Sequence, residues 1–277
     1  MVNDLPLTGH LEANHIPVEP FSSLPRLRIS PHGLPYIQLP APCEEYCLTN
    51  YLATPEGVQH DAETEAQILR DTPVSKTLAT FLSGGTVTVD SVKQSIEKYQ
   101  QERIGWCMPV IRLTAEAQAD PMPALLGVTL LKRATHAEGG KQYRQIRQRE
   151  DEGKSDREVG WSISCWLHPA HQGKGITTAA YRYCIKEWFL PYIYTYPGQL
   201  RSGFLAVNTA SEAFQKKLGF KTVAKSYWLV ETRMNNGLEV GDDKEKWKSG
   251  CGLWQGFNGE YPIRKEDSDY RHFDDWD

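Results

Sequence analysis

The sequence predicts an α/β protein, on three observations. Strand-like runs rich in β-branched and aromatic residues recur along the chain, as in Trp106–Leu113, Ala124–Ala134 and Glu158–Pro169. Segments of helical period follow some of them, with Ile176, Ala180, Cys184 and Trp188 on one stripe and Ala179 and Tyr183 beside it. The composition, 40% hydrophobic and 24% charged over 277 residues, supplies a sizeable core without disorder or a fibrous repeat.

Each element can be taken in order. Up to Pro42 the chain is punctuated by prolines and offers only short β-like pieces, Arg26–Ser30 and Tyr36–Leu39, so residues 1–34 read as an extended arm. Cys43–Leu52 and Asp90–Arg103 read as helices, the second opened by Asp90 or Ser91 as N-cap, with an unassigned polar connection between them. Trp106–Leu113 and Ala124–Ala134 form an antiparallel pair around a turn-like Ala-Gln-Ala-Asp-Pro-Met-Pro. Residues 138–158 are a charged insertion, too polar for core. A strand ending at Pro169 gives way to a helix from Ile176 that Pro191 closes, and the run Gly203–Thr232 reads as strand, helix, strand. The tail 232–277 carries Trp247, Trp254, Phe257, Tyr261, Tyr270, Phe273 and Trp276, expected to pack over the domain; a lid or a dimer contact is the other reading.

Charge and cysteines narrow the function classes. A formal net charge of -4 with intermixed signs gives no basic field for nucleic acid or anionic membrane. The six cysteines, Cys43, Cys47, Cys107, Cys165, Cys184 and Cys251, are scattered; Cys43 and Cys47 have no second pair to complete a zinc site, so reduced thiols and no metal are expected. No stretch approaches the roughly 20 apolar residues of a membrane span, and no leader is evident at the start, which predicts a cytoplasmic protein with the nucleus left open.

The informative local feature is Gly173-Lys174-Gly175, between a strand and a helix. Two readings stand: a turn that needs glycine's positive φ, or an anion cradle of unpaired amides at a helix start. The strand before it argues against a helix C-cap. A P-loop would need four residues between its glycines, and a dinucleotide fingerprint would need glycine where Thr178 stands.

Gln172-Gly173-Lys174-Gly175-Ile176-Thr177 resembles the acyl-CoA-binding signature of the GNAT superfamily of N-acetyltransferases, departing from it at Thr177. Gly203–Phe220, with Asn208 and Ser211 in an Asn-x-x-Ser arrangement and a Lys-Leu-Gly-Phe ending, resembles the same family's fifth strand and fourth helix. The likeness spans roughly Ile37 to Val230 and is closest to the subgroup that acetylates N-termini of ribosomal proteins. It implies a mixed, mostly antiparallel central sheet flanked by helices, with strands four and five splayed, as a domain over 35–231. It further implies acetyl-CoA as cosubstrate, an amine acceptor that is a small molecule or a peptide N-terminus, direct attack without a covalent enzyme intermediate, and a monomer or homodimer. The residues implied to hold the cofactor are Trp166, Leu167, His168, Gln172, Gly173, Lys174, Gly175, Ile176, Thr177, Asn208 and Ser211.

Catalytic roles are thinner. Thr209 and Glu212 read as a capping box, which would release Asn208 for the pantetheine arm; a strand-ending turn is its other reading. Gln215 stands where many family members carry a tyrosine acid, so Ser211 is the implied partner of the leaving thiolate. The strand that often carries the family's base has Ser162 and Ser164, leaving Glu158 at its start as a weak candidate and the base unassigned. His168 and His171 are expected at the surface or beside phosphate. From another class, a non-catalytic acyl-CoA-binding protein of the same fold remains the alternative.

Overall fold

The computed structural model describes residues 24–71, 74, 87–102, 105–133, 151, 153–195, 199–205, 208–226 and 249–254. Most of the arm, most of the charged insertion (138–150 and 152) and most of the aromatic tail lie outside the described residues.

One nine-stranded sheet organises the chain, in the order β1-β2-β3-β4-β5-β6-β7-β9-β8. Its strands are β1 Leu27–Ile29, β2 Pro35–Gln38, β3 Tyr46–Thr49, β4 Val110–Leu113, β5 Gly127–Arg133, β6 Trp161–Leu167, β7 Leu200–Leu205, β8 Phe220–Ser226 and β9 Ser249–Trp254. Every neighbouring pair is antiparallel except β6 and β7, which run parallel. The splayed pair is also plain in the register: Trp161, Ser162 and Ile163 match Leu200, Arg201 and Ser202, and the ladder stops there although β6 continues to Leu167.

Helices cover both faces. On one lie α1 (Pro55–Asp71) and α2 (Val89–Glu102), packed through Val58, Ala62, Ala66, Val92 and Ile96 against Val110, Val128 and Trp166. On the other lie α4 (Ile176–Cys184), continued by Ile185–Phe189 in a wider π-turn and by Leu190–Tyr192, and α5 (Thr209–Lys217). The predicted stripe of α4 is buried, and Trp188 meets Trp106 and Trp161 edge-on or tilted at 5.3 and 5.5 Å. A short helix, α3 (Thr114–Ala119), interrupts the connection between β4 and β5 where a plain turn was expected.

Four local expectations are corrected. Cys43–Leu52 is not a helix: Tyr46–Thr49 is a strand in the middle of the sheet, buried at all four positions, so it lacks the alternation that marks a half-buried strand. The unassigned polar connection contains α1, whose start is capped by Thr54 Oγ1 accepting from Gly57 N at 3.1 Å, with Pro55 in the first turn. Helix α2 is capped by Thr88 rather than by Asp90 or Ser91; Thr88 and Ser91 exchange side-chain-to-amide bonds at 3.0 Å. Finally, Ser249–Trp254 enters the sheet between β7 and β8, so part of the tail is structural core pairing rather than a cover.

An ion pair locks α1 to the sheet. Both Arg112 on β4 and Asp61 on α1 are fully buried; Arg112 Nη2 donates to both carboxylate oxygens at 2.7 Å and Nε to Thr49 Oγ1 at 2.9 Å. Asp61 Oδ2 also accepts from Leu52 N at 2.9 Å, and the second guanidinium nitrogen donates to Pro123 O. With every partner in place, burial of two charges is tolerable.

Candidate active site

The site starts from what the parallel pair leaves unpaired. Within a strand the N–H and C=O of successive residues point to opposite edges. Trp161 N donates to Gln199 O at 2.7 Å, toward β7. The amides of Ile163, Cys165 and Leu167 share that edge, and past Ile163 no β7 residue is paired with β6. Cys165 and Leu167 therefore aim their amides into the gap, while Trp166 aims its own at Val128 on β5. Of the two β6 residues implied to hold the cofactor, Leu167 turns its amide toward the gap and Trp166 does not; Cys165 does so as well.

The gap runs straight onto the glycine loop. Gly173 and Gly175 adopt φ of 77° and 80°, a left-handed conformation that glycine accepts without strain, and a Cβ on either would meet no protein atom within 4 Å. Both readings of the glycines survive this geometry, since the turn needs positive φ and the space in front of it is open. Helix α4 begins at Ile176, and its first carbonyl-bound amide is Ala179, donating to Gly175 O at 2.9 Å. Among the described residues no carbonyl meets the amides of Gly173 through Thr178, a row of donors suited to an anion.

Side chains hold this loop rather than point into it. Gln172 Nε2 donates back to Leu167 O at 2.8 Å, and His168 Nδ1 accepts from Ala170 N at 3.2 Å, closing a short turn over Pro169–His171. Ile176 is in the core and offers only its amide. Lys174 is exposed; its Nζ lies 3.4 Å from Tyr46 Oη, which also pairs with His171 Nδ1 at 3.1 Å. Burial, then Lys174 and His168, push the His171 imidazole below its usual range. Thr177 sits in the first turn of α4, partly buried.

Because β6 and β7 are parallel, the chain leaves both at the same end, which sets the starts of α4 and α5 on either side of the gap. Asn208 is the cap of α5: its Oδ1 accepts from Ser211 N at 3.0 Å. This corrects the capping box expected from Thr209; Asn208 does the capping and keeps its amide nitrogen for another partner. Gln215 is buried, and its Nε2 reaches Gly203 O at 3.2 Å and Ser211 Oγ at 3.5 Å, with Oε1 unpaired. Ser211 Oγ thus accepts from Gln215, which leaves its own proton to donate elsewhere.

Glu158 does not belong to this constellation. It lies on the exposed turn before β6, at the paired end of the β6–β7 ladder, and its carboxylate accepts from Ser155 N and Oγ at 2.9 and 2.7 Å. Those bonds lower its proton affinity, the opposite of what a base near neutrality needs. Tyr183 is core as expected, its hydroxyl on Pro25 O, and Tyr181 is buried with its hydroxyl against Ser164 O and Leu130 O at 2.7 and 2.9 Å.

One acidic residue went unnoticed in the sequence. Glu65 on α1 accepts from Tyr51 Oη at 3.3 Å with the Trp166 indole beside it, and burial pushes its carboxyl up to about 8, with Asp61 adding to the rise. A signal for it existed: Asp61 and Glu65 fall among Val58, Ala62, Ala66 and Leu69 on the apolar stripe of α1, where an unpaired acid is out of place.

A sequence profile of the acetyltransferase (GNAT) domain matches residues 56–221, well over half of the chain. The chain belongs to the GNAT acetyltransferase family. Acetyl-CoA is the donor this family uses, and the open, amide-lined loop fits its pyrophosphate. Among solved structures, this GNAT protein is similar to a ribosomal-protein-alanine N-acetyltransferase from Brucella melitensis (17% identity, covering 73% of this chain and 95% of that one, TM-score 0.44). It is similar also to the acetyltransferase YncA of Salmonella typhimurium, solved with acetyl-CoA (17%, 75% and 94%, 0.42), and to RimJ of Mycobacterium smegmatis, solved with CoA-disulfide (14%, 79% and 85%, 0.43). No curated protein matches the chain in sequence. Among the described residues no cluster of three or more His, Cys, Asp or Glu could hold a metal, and no helix is long and apolar enough to cross a membrane.

Proposed function

We propose that this GNAT acetyltransferase moves the acetyl group of acetyl-CoA to a primary amine by direct attack on the thioester. The observation that carries the reading is the gap beyond Ile163, where the Cys165 and Leu167 amides continue into the unpaired amides of the Gly173–Gly175 loop. When bound, acetyl-CoA supplies an activated acyl carbon and a thiolate leaving group. The loop and the first turn of α4 hold the pyrophosphate through backbone donors, with Gly173, Lys174, Gly175, Ile176 and Thr177 contributing amides. Leu167 N, with Cys165 N beside it, donates to the carbonyl oxygen and strengthens as negative charge grows there, at no cost in reorganisation. Asn208 steers the pantetheine arm with its amide nitrogen, and Ser211 Oγ donates its proton's hydrogen bond to the sulfur while accepting from Gln215. Gln172 and His168 shape the loop. The working unit is residues 35–231 together with β9, which completes the sheet beside β7.

The test is acceptor-dependent CoA release with a panel of amines: small amines, polyamines, peptides with a free N-terminus and peptides with only a lysine amine. Turnover with at least one class is the expected result. Tight acetyl-CoA binding with no turnover across the panel would make the protein a binder of the same fold. Within the positive outcome, preference for peptide N-termini over free lysine assigns the acceptor.

A further inference from the structure

The reaction needs a group to deprotonate the amine, and β6, Trp161–Leu167, carries no acid on either face. Side chains at odd and even positions of β6 leave on opposite faces. Ile163 and Leu167 join the core under α4, whereas Trp166 packs with the α1–α2 core. Ser162, Ser164 and Trp166 therefore share the α1 face, and none of them is an acid. The acid on that face comes from the helix opposite. Glu65 is held by Tyr51 and lies beside the indole of Trp166, the residue between the two amides that border the gap.

We propose that Glu65 is the general base of the transfer, its carboxylate taking the proton of the amine on the α1 side of β6; this rests on the acetyltransferase reading above. Asp61, one turn back on the same stripe, cannot serve, because Arg112 and Leu52 N occupy both its oxygens. Glu65 is only partly buried, and its two partners are neutral donors that orient the carboxylate without supplying a compensating charge. The titratable and charged groups around it are Tyr51 after β3, Asp61 on α1 with Arg112 of β4 behind it, and Tyr99 of α2, whose ring meets that of Tyr51 at 6.1 Å.

The proton balance closes with this assignment. Glu65 takes one proton from the ammonium and passes it to solvent. The nitrogen lone pair then forms the C–N bond as the C–S bond breaks, and the second proton lost from nitrogen ends on the CoA sulfur, beside Ser211. A carboxyl that titrates near 8 is matched to amines that titrate near neutrality, about 7.7–8.0 for a peptide N-terminus.

The experiment compares wild type with Glu65→Gln, which keeps an oxygen for Tyr51 and for the indole. At saturating amine, kcat should fall by about 100-fold or more, within the range for a lost acid–base group, while the Kd of acetyl-CoA stays put. Wild-type kcat should rise with pH through about 8 as Glu65 ionises, and that limb should vanish in Glu65→Gln. Melting gives an independent readout. A carboxyl whose folded pKa is raised contributes stability that is full below its unfolded pKa and lost as pH rises through about 8, so wild type should melt lower at pH 9 than at pH 5 on this account, and Glu65→Gln should flatten the difference. A variant with near wild-type kcat and the same pH limb overturns Glu65 as base while leaving the acetyltransferase intact. Absence of turnover in the wild type itself overturns both.

Discussion

The two faces of the sheet solve different problems with different materials. Under α4 and α5 the proposed donor side is made of backbone: edge amides of β6, two glycines at positive φ and the first turn of a helix. Under α1 and α2 the proposed acceptor side is made of side chains, the buried Asp61–Arg112 pair and the partly buried Glu65 with Tyr51 and Trp166. Backbone donors hold a constant ligand, so the side chains around them need only close the loop, as Gln172 and His168 do. A carboxylate, by contrast, must be desolvated and oriented by its neighbours, and its chemistry depends on which neighbours are charged. Asp61 and Glu65 illustrate this one turn apart. Arg112 compensates the first, while neutral hydroxyl and indole partners leave the second with a proton affinity near 8.

Breaking the acceptor side should cost most. Replacing Arg112 with Met strands a fully buried Asp61 and should destabilise the protein by about 3–5 kcal/mol, measured by urea unfolding. Pairing it with Asp61→Leu should recover much of the loss. If the single variant unfolds no more easily than wild type, the pair is not what holds α1 to β4.

The donor side should yield a smaller stability effect and a larger binding effect. In Gly175→Val the added Cβ meets no protein atom within 4 Å, so the expected cost to the fold is chiefly backbone strain, about 1–3 kcal/mol. Acetyl-CoA affinity, measured by calorimetry well below the melting temperature, should fall further than that strain explains, and the preference for CoA over pantetheine should shrink. Binding that tracks the folded fraction alone would leave the glycines as a turn. The smallest effect belongs to Ser211→Ala, which removes the proposed donor to the sulfur; kcat should drop about tenfold, or ~1.4 kcal/mol, with the KM for acetyl-CoA nearly unchanged. Equal kcat in a pre-steady-state measurement of the chemical step would remove Ser211 from the mechanism.

The same contrast explains what could be read early. The strand Trp161–Leu167, the stripe Ile176–Trp188 and the helix Thr209–Lys217 were legible because their patterns are local: β-branched runs, a 3.6-residue period and glycines between them. Strand β3 was misread as a helix because burial on both faces erased its alternation. Helix α1 escaped notice because an acid, Asp61, sits among its buried Val58, Ala62, Ala66, Ile68 and Leu69, and that acid's place in the interior depends on Arg112, about fifty residues away in sequence. Asn208 and Thr209 are both good caps by type, and which one caps is a matter of where β7 delivers the chain.

By itself, then, the sequence determined the α/β class, the strand–glycine–helix loop and the family to which these motifs belong, all of them consequences of short-range sterics and periodicity. Tertiary structure alone decided that Gly-rich Ser249–Trp254 slots between β7 and β8, that Glu158 faces away from the gap, and that Glu65 faces Trp166. Strand order and carboxylate environment are long-range properties: a hydrogen-bonding edge accepts whichever strand reaches it, and a proton affinity is set by residues that only the fold brings together.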